Sequence, residues 1–323
     1  MLTIVTGATG CIGRNLVDEL LKDGWDIICL HRKSSDLKKL NGCAVTLKEV
    51  DLYELDLVRK VIPENVDAVF HVAGNVAHWP DPNQWKDNVL ATRNLIEVSL
   101  EKGVGKFIFT STGATLAYPR TSNKSIQSIK SGYIRTKRLA ELEVFDGVRR
   151  GLFAVILQPI ITVGKYDYDN YSQIFRKTDL RVSLPGSLEF CHAQDVARAH
   201  IQAFHKGRCC EHYVLGGDYL SWFDFFKLVS DVTGAKAPKW VAPTWLLYPV
   251  SYIQLFIYKI FGIRPTLTPE LVSLLEGNER VPFNEAFKTE KELGYKNRGV
   301  QEAVRDCYEW MKEEQKQKTN SPK

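Results

Sequence analysis

The feature that most constrains this chain is a glycine-containing turn close to its start. Leu2–Thr6 is a short apolar run, and it is followed by Gly7-Ala8-Thr9-Gly10-Cys11-Ile12-Gly13. Residues 14–21 then place apolar side chains at helical spacing. A strand, a glycine turn and a helix in this order are typical of a dinucleotide-binding unit, in which the turn lets a pyrophosphate approach the helix N-terminus. The turn therefore predicts these cofactor-binding residues: Gly7, Thr9, Gly10, Cys11, Ile12 and Gly13.

The end of the second predicted strand, Asp26–Leu30, indicates which cofactor is bound. NAD-dependent proteins with this turn place an acid there for the ribose 2′-hydroxyl, whereas a basic group accommodates the 2′-phosphate of NADP. His31, Arg32 and Lys33 follow the strand, with no acid among them. We therefore expect NADP(H) to be preferred, although NAD(H) stays open, with Arg32 as the main contact and Lys39 as a second. The alternative is a solvated basic loop.

Strands alternate with helices over the first half of the chain, which predicts an α/β fold with a doubly wound parallel sheet of the Rossmann type. Further strands are predicted at 44–50, 67–72, 106–110 and 153–157, with a helix over 84–102. Cofactors bind at the carboxyl ends of such strands. The residues at or just beyond those ends are Gly10, Asp51, Ala73, Thr112 and Pro159.

Tyr133 and Lys137 are four residues apart, so they share one face of a predicted helix that Ser131 caps. A lysine cation about one turn from a tyrosine favours the phenolate and lowers the tyrosine's pKa. Tyr133 could then exchange a proton near neutral pH, as hydride chemistry on a carbonyl or an alcohol requires. The spacing alone is common on surface helices, and it is the glycine turn that gives it weight.

Several motifs together resemble the extended short-chain dehydrogenase/reductase family, and within it the dihydroflavonol-4-reductase-like branch, which borders 3β-hydroxysteroid dehydrogenases. The motifs are the glycine turn, Asp51-Leu52, His71-Val72-Ala73-Gly74-Asn75, Asn88-Val89, Ala91-Thr92-Arg93-Asn94-Leu95, Phe109-Thr110-Ser111-Thr112, Tyr133 to Lys137, Gln158-Pro159, Cys191 to Ala197, and Lys291-Glu292-Leu293-Gly294-Tyr295 followed by Glu309-Trp310. The resemblance covers nearly all of residues 1–310. It implies a Rossmann domain with a small C-terminal α/β substrate lobe, and cofactor contacts from Asp51, Leu52, Ala73, Tyr133, Lys137 and Pro159.

The resemblance also implies a catalytic triad of the Ser-Tyr-Lys type. Tyr133 and Lys137 match it directly, Thr112 falls at the serine position, and Ser111 stands beside it. Threonine keeps the hydroxyl that hydrogen-bonds a substrate oxygen, so activity should survive. A second departure is Gln158-Pro159 where the family usually has Arg-Pro, and the segment from Thr112 to Tyr133 is short. These departures bear on the substrate more than on the chemistry.

The function implied is an NADP-dependent oxidoreductase that transfers hydride between NADPH and a ketone or aldehyde, or the corresponding alcohol, of a hydrophobic small molecule. Two alternatives stay open. One is a nucleotide-sugar epimerase or dehydratase with bound NAD, against which the basic residues after the second strand argue. The other is a non-catalytic NADP-binding sensor or assembly factor. Family members often form dimers through the helices at 84–102 and 133–150, so a homodimer is also implied.

The second half carries fewer motifs. We expect an NADP-binding domain at 1–165, a mainly substrate-binding lobe at 166–312 with some segments returning to the sheet, and a polar, frayed tail at 313–323. Tyr166, Tyr168 and Tyr171 either line the substrate pocket or lie in a surface loop. The most apolar stretch, 240–261, is interrupted by proline and polar residues. We interpret it as a lobe helix facing a hydrophobic substrate, with a peripheral membrane contact as the alternative.

Composition excludes several other classes. The 323 residues are 44% hydrophobic and 25% charged, as in ordinary globular proteins, and the net charge of +5 is too mild for a nucleic-acid binder. Seven cysteines without a C-x-x-C pair indicate a reducing compartment and no metal site. The first residues run directly into the first strand, so we expect no signal peptide and a cytoplasmic location.

Overall fold

The computed structural model describes residues 1–118, 126–168, 172–276 and 280–320, with side chains described up to residue 316. Within them, a parallel sheet of seven strands has the order β10-β6-β5-β4-β1-β2-β3. Its strands are β1 (Leu2–Thr6), β2 (Asp26–His31), β3 (Thr46–Glu49), β4 (Ala68–His71), β5 (Lys106–Thr110), β6 (Ala154–Pro159) and β10 (His212–Leu215). The strand order reverses between β1 and β4, and such a switch point creates a crevice at the carboxyl edge of the sheet.

The helices that flank this sheet are α1 (Cys11–Lys22), α2 (Leu55–Val61), α3 (Ala91–Glu101), α4 (Gly132–Arg149) and α6 (Ala193–Lys206). Two hydrophobic clusters hold them in place. Leu16, Leu20 and Phe70 belong to the cluster under α1 and α6. Leu95, Phe107 and Val144 belong to the cluster that includes residues of α3 and α4. Layers of helix on both faces confirm the predicted doubly wound Rossmann architecture.

The six strands predicted in the first half of the chain are confirmed to within two residues at each end. The helix predicted at 84–102 is different at its start, because Lys86–Leu90 forms a π-helical turn that leads into α3. Such turns are frequent at functional sites. Ser131 caps α4 as predicted, since its hydroxyl accepts a hydrogen bond from the Ile134 amide.

The remaining elements belong mostly to the second half of the chain. They are β7 (Ile161–Val163), α5 (Ser172–Phe175), β8 (Val182–Ser183), β9 (Ser187–His192), β11 (Asp218–Ser221), α7 (Trp222–Thr233), β12 (Trp240–Val241), α8 (Thr244–Phe261), α9 (Pro269–Leu275), α10 (Phe283–Leu293) and α11 (Val300–Asn320). Strands β11, β9 and β7 form a second sheet, and β8 pairs with β12. A third hydrophobic cluster joins α7 to α11 through Phe225, Val304 and their neighbours.

One expectation about this half is wrong, since the residues from 313 to 320 do not fray but continue helix α11. The apolar stretch at 240–261 forms a helix, α8, as expected. Most of the apolar side chains on α8 lie at the surface, and Ser251 is the buried residue of the helix. Among the described residues, no helix combines the length and the apolar character that a membrane span requires.

Candidate active site

The glycine turn after β1 packs so closely that side chains are excluded from it. Gly7 has a φ of +73°, and a Cβ there would lie 2.7 Å from the Ala73 amide nitrogen. A Cβ on Gly13 would lie 2.1 Å from the Gly7 carbonyl oxygen. The turn is thus pressed against the end of β4, as expected from the order of the strands. Thr9, Gly10 and Ile12 keep part of their surface exposed at the N-terminus of α1, and such a turn can hold a pyrophosphate.

Cys11 takes part in this turn through its backbone only. Its thiol donates a hydrogen bond to the Lys165 carbonyl at 3.4 Å, and burial raises the pKa of the thiol well above its usual value. The thiol therefore stays protonated at neutral pH. A reactive cysteine at this position is not expected.

The loop after β2 holds Arg32 at the surface, with its side chain 63% exposed. The Arg32 guanidinium lies 3.1 Å from the Asp87 carboxylate, which also accepts a hydrogen bond from the Tyr53 hydroxyl. Lys39 points elsewhere, with its ammonium 3.8 Å from the centre of the Tyr168 ring. Arg32 and Lys39 therefore have different partners, and the structure does not bring them together in one contact group.

The residues after β3 and β6 lie where strand positions predicted them. Asp51 is exposed, and its carboxylate accepts a hydrogen bond from the Tyr53 amide. The carbonyl of Leu52 accepts one from the Asn94 side chain at 2.9 Å. Pro159 is the last residue of β6, beside the Gly113 turn. All of these positions are at the carboxyl edge of the sheet.

Tyr133, Lys137 and Thr112 meet at the same edge. The Thr112 side chain lies close enough to the Tyr133 hydroxyl to lower the pKa of the phenol. The Lys137 ammonium donates to the Thr110 carbonyl at 2.5 Å, and a Cβ on Gly74 would lie 3.5 Å from it. The structure therefore brings together the tyrosine, the lysine and the threonine that the sequence placed in three separate motifs.

The charges of this group differ from expectation in one respect. Burial raises the pKa of Tyr133, and the neighbouring Thr112 side chain opposes that rise only in part. The expected lowering of the tyrosine pKa by Lys137 is wrong for this state of the protein, because burial dominates and the ammonium binds the Thr110 carbonyl. Burial also lowers the pKa of Lys137 to about 8. At neutral pH the tyrosine is therefore protonated and the lysine is still mostly charged.

Asn88, in the π-helical turn, fixes the surroundings of Lys137. Its side-chain amide donates to the Asn75 carbonyl and to the Thr136 hydroxyl, each at 2.9 Å. Its carbonyl oxygen accepts a hydrogen bond from the Asn75 amide at 2.7 Å. Asn88 thus joins the segment after β4 to helix α4 next to the lysine.

Ser111 is turned away from this group, into a buried polar network that the sequence did not indicate. Its hydroxyl donates to the Glu141 carboxylate at 2.6 Å. The same carboxylate accepts a hydrogen bond from Gln158 at 3.0 Å and forms a fully buried ion pair with Arg138. The role beside Thr112 that was expected for Ser111 has no support in this geometry, because the hydroxyl is committed to Glu141. The sequence held one clue to this network. Glu141 follows Lys137 by four residues, so the two side chains share one face of α4.

The segment after β4 supplies a second group that the sequence did not indicate. The His78 ring contacts the Tyr133 ring edge-on, with 5.5 Å between the ring centres. His78 Nδ1 lies 3.5 Å from Glu270 on α9, and Glu270 accepts a hydrogen bond from Ser131 at 2.5 Å. The second half of the chain therefore reaches helix α4 through α9. Neither residue belongs to a motif, so only the tertiary structure reveals them.

The tyrosines after β7 lie apart from Tyr133. The Tyr166 hydroxyl donates to Asp18 on α1 at 2.8 Å, and Tyr166 and Tyr168 both contact the Trp310 ring edge-on. These contacts favour the structural interpretation of the two tyrosines over the pocket-lining one. Tyr171 lies outside the described residues.

One cluster within the described residues has the composition of a metal site. His192, Glu302 and Asp306 bring a ring nitrogen and two carboxylates within 4.8 Å of one another. The other ring nitrogen, Nδ1, accepts a hydrogen bond from the Gln194 amide. An imidazole that binds a metal through Nε2 carries its proton on Nδ1, which this hydrogen bond opposes. Arg298 also pairs with Glu302, so the cluster is best described as an ion-pair network.

The fold and the site define a nucleotide-dependent enzyme of the short-chain dehydrogenase type. The sequence profile of the NAD dependent epimerase/dehydratase family matches residues 3–216. The chain belongs to this family, whose members are NAD(P)-dependent enzymes that act on hydroxyl or carbonyl groups.

The relatives cover this chain almost completely. A protein of Synechocystis sp., described as an inferred dihydroflavonol 4-reductase, is 25% identical over 95% of this chain and 93% of its own length. Sterol demethylase protein B of Methylococcus capsulatus is 27% identical over 97% of this chain and 99% of its own length. The protein in the crystal structure of gox2253 is 31% identical in sequence, and the match covers 97% of this chain and 98% of that one, with a TM-score of 0.80. The resemblance inferred from the motifs is confirmed.

Proposed function

We propose that the protein is an NADP-dependent oxidoreductase that transfers hydride between NADPH and the carbonyl carbon of a hydrophobic ketone or aldehyde, or in reverse from the alcohol. The observation that carries this proposal is the proximity of the Thr112 side chain to the Tyr133 phenol, with Lys137 one turn from Tyr133 on α4. Two hydroxyls that converge at the carboxyl edge of the sheet can both donate to one substrate oxygen. Dihydroflavonol-4-reductase-like and 3β-hydroxysteroid dehydrogenase-like activities belong to this class.

The cofactor, when bound, supplies or accepts the hydride. Gly7–Gly13 would hold its pyrophosphate, because the close packing of Gly7 and Gly13 keeps side chains out of the turn at the N-terminus of α1. Ala73, Asp51, Leu52 and Pro159 line the same edge of the sheet. Arg32 would contact a 2′-phosphate. Lys39 is the weaker candidate for this contact, because its ammonium already lies over the Tyr168 ring.

The proton transfer is assigned to Tyr133. Its buried hydroxyl keeps its proton at neutral pH and can give it to a substrate oxygen that gains negative charge, while Thr112 donates a second hydrogen bond. The ammonium of Lys137, with a pKa of about 8, is positive at that pH and stabilises the phenolate that remains. Thr110 and Asn88 hold the lysine and its helix in position.

A second candidate is a nucleotide-sugar epimerase or dehydratase with retained NAD. One observation favours it, because Arg32 is already paired with Asp87 and this pairing competes with a 2′-phosphate. A non-catalytic NADP sensor is disfavoured by the intact Tyr133, Lys137 and Thr112 group. Purified protein that carries stoichiometric NAD would select the epimerase or dehydratase.

Binding of NADPH against NADH, measured by calorimetry, tests the cofactor assignment. Arg32→Ala should weaken NADPH at least about tenfold and leave NADH unchanged, because hydrogen bonds between charged groups contribute about 1.5–3 kcal/mol. Arg181→Ala is a matched control, since this arginine is also half exposed and salt-bridged to an aspartate. Equal binding of both cofactors by the unmodified protein would contradict the NADP assignment.

We also propose a homodimer formed through α3 and α4. These helices pack side by side, and the Arg93–Glu143 and Arg150–Glu97 ion pairs cross between them. Sedimentation velocity tests this proposal, and a monomer at every concentration would contradict it.

A further inference from the structure

Helix α8 (Thr244–Phe261) presents apolar side chains to solvent. Trp245, Tyr252 and Phe256 are 73%, 60% and 63% exposed, and their spacing puts them in one stripe along the helix. The other exposed apolar residues on and just after the helix are Leu246, Val250, Ile253, Ile260, Phe261 and Ile263. Water-soluble monomers rarely expose a contiguous apolar patch of this kind unless it binds something.

Polar contacts on the opposite side fix this orientation. Ser251 is completely buried and donates to the Tyr248 carbonyl. The side-chain oxygen of Gln254 accepts hydrogen bonds from the Thr266 and Leu267 amides, at 2.9 and 3.0 Å. A rotation that buried the apolar stripe would break the Gln254 bonds and expose Ser251, whose own hydrogen bond lies within the helix. The outward position of the apolar face is therefore a stable feature of the fold.

The charged residues of the helix and of its flanking chain segments are all basic, while the Glu276 carboxylate, just after α9, accepts a hydrogen bond from the Tyr248 hydroxyl at 3.0 Å. Residues 232–269 contain no aspartate or glutamate, and their four charged residues are Lys236, Lys239, Lys259 and Arg264. Before the helix, a cavity of about 570 Å³ at the β8–β12 pair is lined by Lys177, Asp179, Arg181, Val182, Lys239 and Trp240. Its three cations outnumber its one carboxylate, which pairs with Arg181. Cations therefore lie before the helix in this cavity and again at its C-terminal end.

We propose that α8 and the adjoining β8–β12 pair form a docking surface for an anionic lipid bilayer, with the helix lying in the plane of the interface. Interfacial helices bury an apolar face at the level of the acyl chains and place Lys and Arg near anionic headgroups. A second copy of this chain fits less well. In a two-fold antiparallel contact, the cations at the N-terminal end would face Lys259 and Arg264 of the other copy.

The docking surface is connected to the candidate active site. The Tyr258 hydroxyl on α8 donates to the Pro80 carbonyl at 3.0 Å. Pro80 is two residues from His78, whose ring contacts Tyr133. Docking would thus hold the segment after β4 close to the bilayer, from which an apolar substrate could enter. Docking does not depend on the proposed function, so it is tested without cofactor or substrate.

Flotation of the full chain with vesicles tests the proposal. The protein should float with phosphatidylcholine vesicles that contain phosphatidylglycerol, and much less with phosphatidylcholine alone. Phe256→Glu should weaken this binding at least about tenfold, because it removes a large apolar side chain from the interface. Phe283→Glu is the matched control, since Phe283 is an 83% exposed phenylalanine on α10. Both substitutions are at exposed positions, and circular dichroism checks that both variants fold.

The cations provide a second arm of the experiment. Lys259→Gln combined with Arg264→Gln should lower binding to anionic vesicles about tenfold or more, while Lys48→Gln combined with Lys60→Gln should not. Any one of three results would overturn the proposal. The first is that the unmodified protein fails to float, and the second is that Phe283→Glu reduces flotation as much as Phe256→Glu. The third is that sedimentation shows a self-associated form that Phe256→Glu dissociates.

Discussion

Replacing Lys137 with methionine separates what this residue does for catalysis from what it does for stability. Lys137 is 4% exposed, and burial lowers its pKa from 10.5 to about 8. The unfolded chain therefore binds more protons than the folded protein between pH 8 and 10.5. It follows that the charged lysine destabilises the fold below pH 8, and that this destabilisation decreases as the pH rises through that window.

The size of the effect follows from the shift. A pKa lowered from 10.5 to about 8 corresponds to about 3 kcal/mol near pH 7. Methionine removes this destabilisation and also removes the hydrogen bond to the Thr110 carbonyl, which contributes about 1 kcal/mol. We therefore expect Lys137→Met to unfold with a free energy about 2 kcal/mol higher than the unmodified protein at pH 7. At about pH 9.5 the two should be nearly equal.

Urea denaturation followed by circular dichroism, at both pH values and without cofactor, measures this difference. Lys106→Met is the matched control, because the Lys106 ammonium also donates to a main-chain carbonyl, that of Phe204 at 2.6 Å, from a half-buried position. Turnover of Lys137→Met should be lost even though its stability rises. The reasoning is refuted if Lys137→Met is less stable than the unmodified protein at pH 7, or if the difference does not change with pH.

Three further substitutions test the site. Tyr133→Phe should lower turnover by about 10²–10⁴, with NADPH affinity kept, and unchanged turnover would remove Tyr133 from the mechanism. Gly13→Ala should lower the free energy of unfolding by about 1–3 kcal/mol, since its Cβ meets the Gly7 carbonyl at 2.1 Å, whereas Gly10→Ala, at 3.4 Å from that oxygen, should be tolerated in urea titrations. Glu141→Gln should destabilise the protein by about 3–5 kcal/mol, because Arg138 would be left as an uncompensated buried charge, and a loss below 1 kcal/mol would contradict a tightly paired network.

The first half of the fold could be predicted because its signals are local. The turn needs glycine because of contacts within a few residues and with the end of the neighbouring strand. The spacing of Gly7, Gly10 and Gly13 is therefore enough to predict the shape of the turn. Buried parallel strands such as β4 and β5 appear as continuous apolar runs. The position of Thr112 at a strand end was likewise predictable, because every parallel strand of the sheet ends at one edge.

The parts that could not be predicted depend on contacts between distant segments. The partner of Ser111 is Glu141, thirty residues later, and no local pattern pairs them. His78 reaches Tyr133 only because the segment after β4 folds over α4. The apolar stretch at 240–261 predicted a helix correctly but left open which side of that helix packs against the rest of the protein. An apolar run normally indicates burial, and only Ser251 and Gln254 show in the structure which side faces inward.

One helix face carries the proposed chemistry and its support. Tyr133, Lys137 and Glu141 follow one another at intervals of four residues on α4, so a rotation of this helix would move all three together. The rotation is fixed at Glu141, because Ser111 and Gln158 donate to its buried carboxylate from outside the helix, and Arg138 on the same helix neutralises it. A buried ion pair contributes little net stability compared with apolar residues of the same volume, but it is directional. The Arg138 guanidinium also donates to the Thr115 and Tyr118 carbonyls, so the pair links α4 to the segment after β5. The Arg138–Glu141 pair is therefore better explained by the positioning of Tyr133 and Lys137 than by stability, and Gln158 adds a further donor to the same carboxylate.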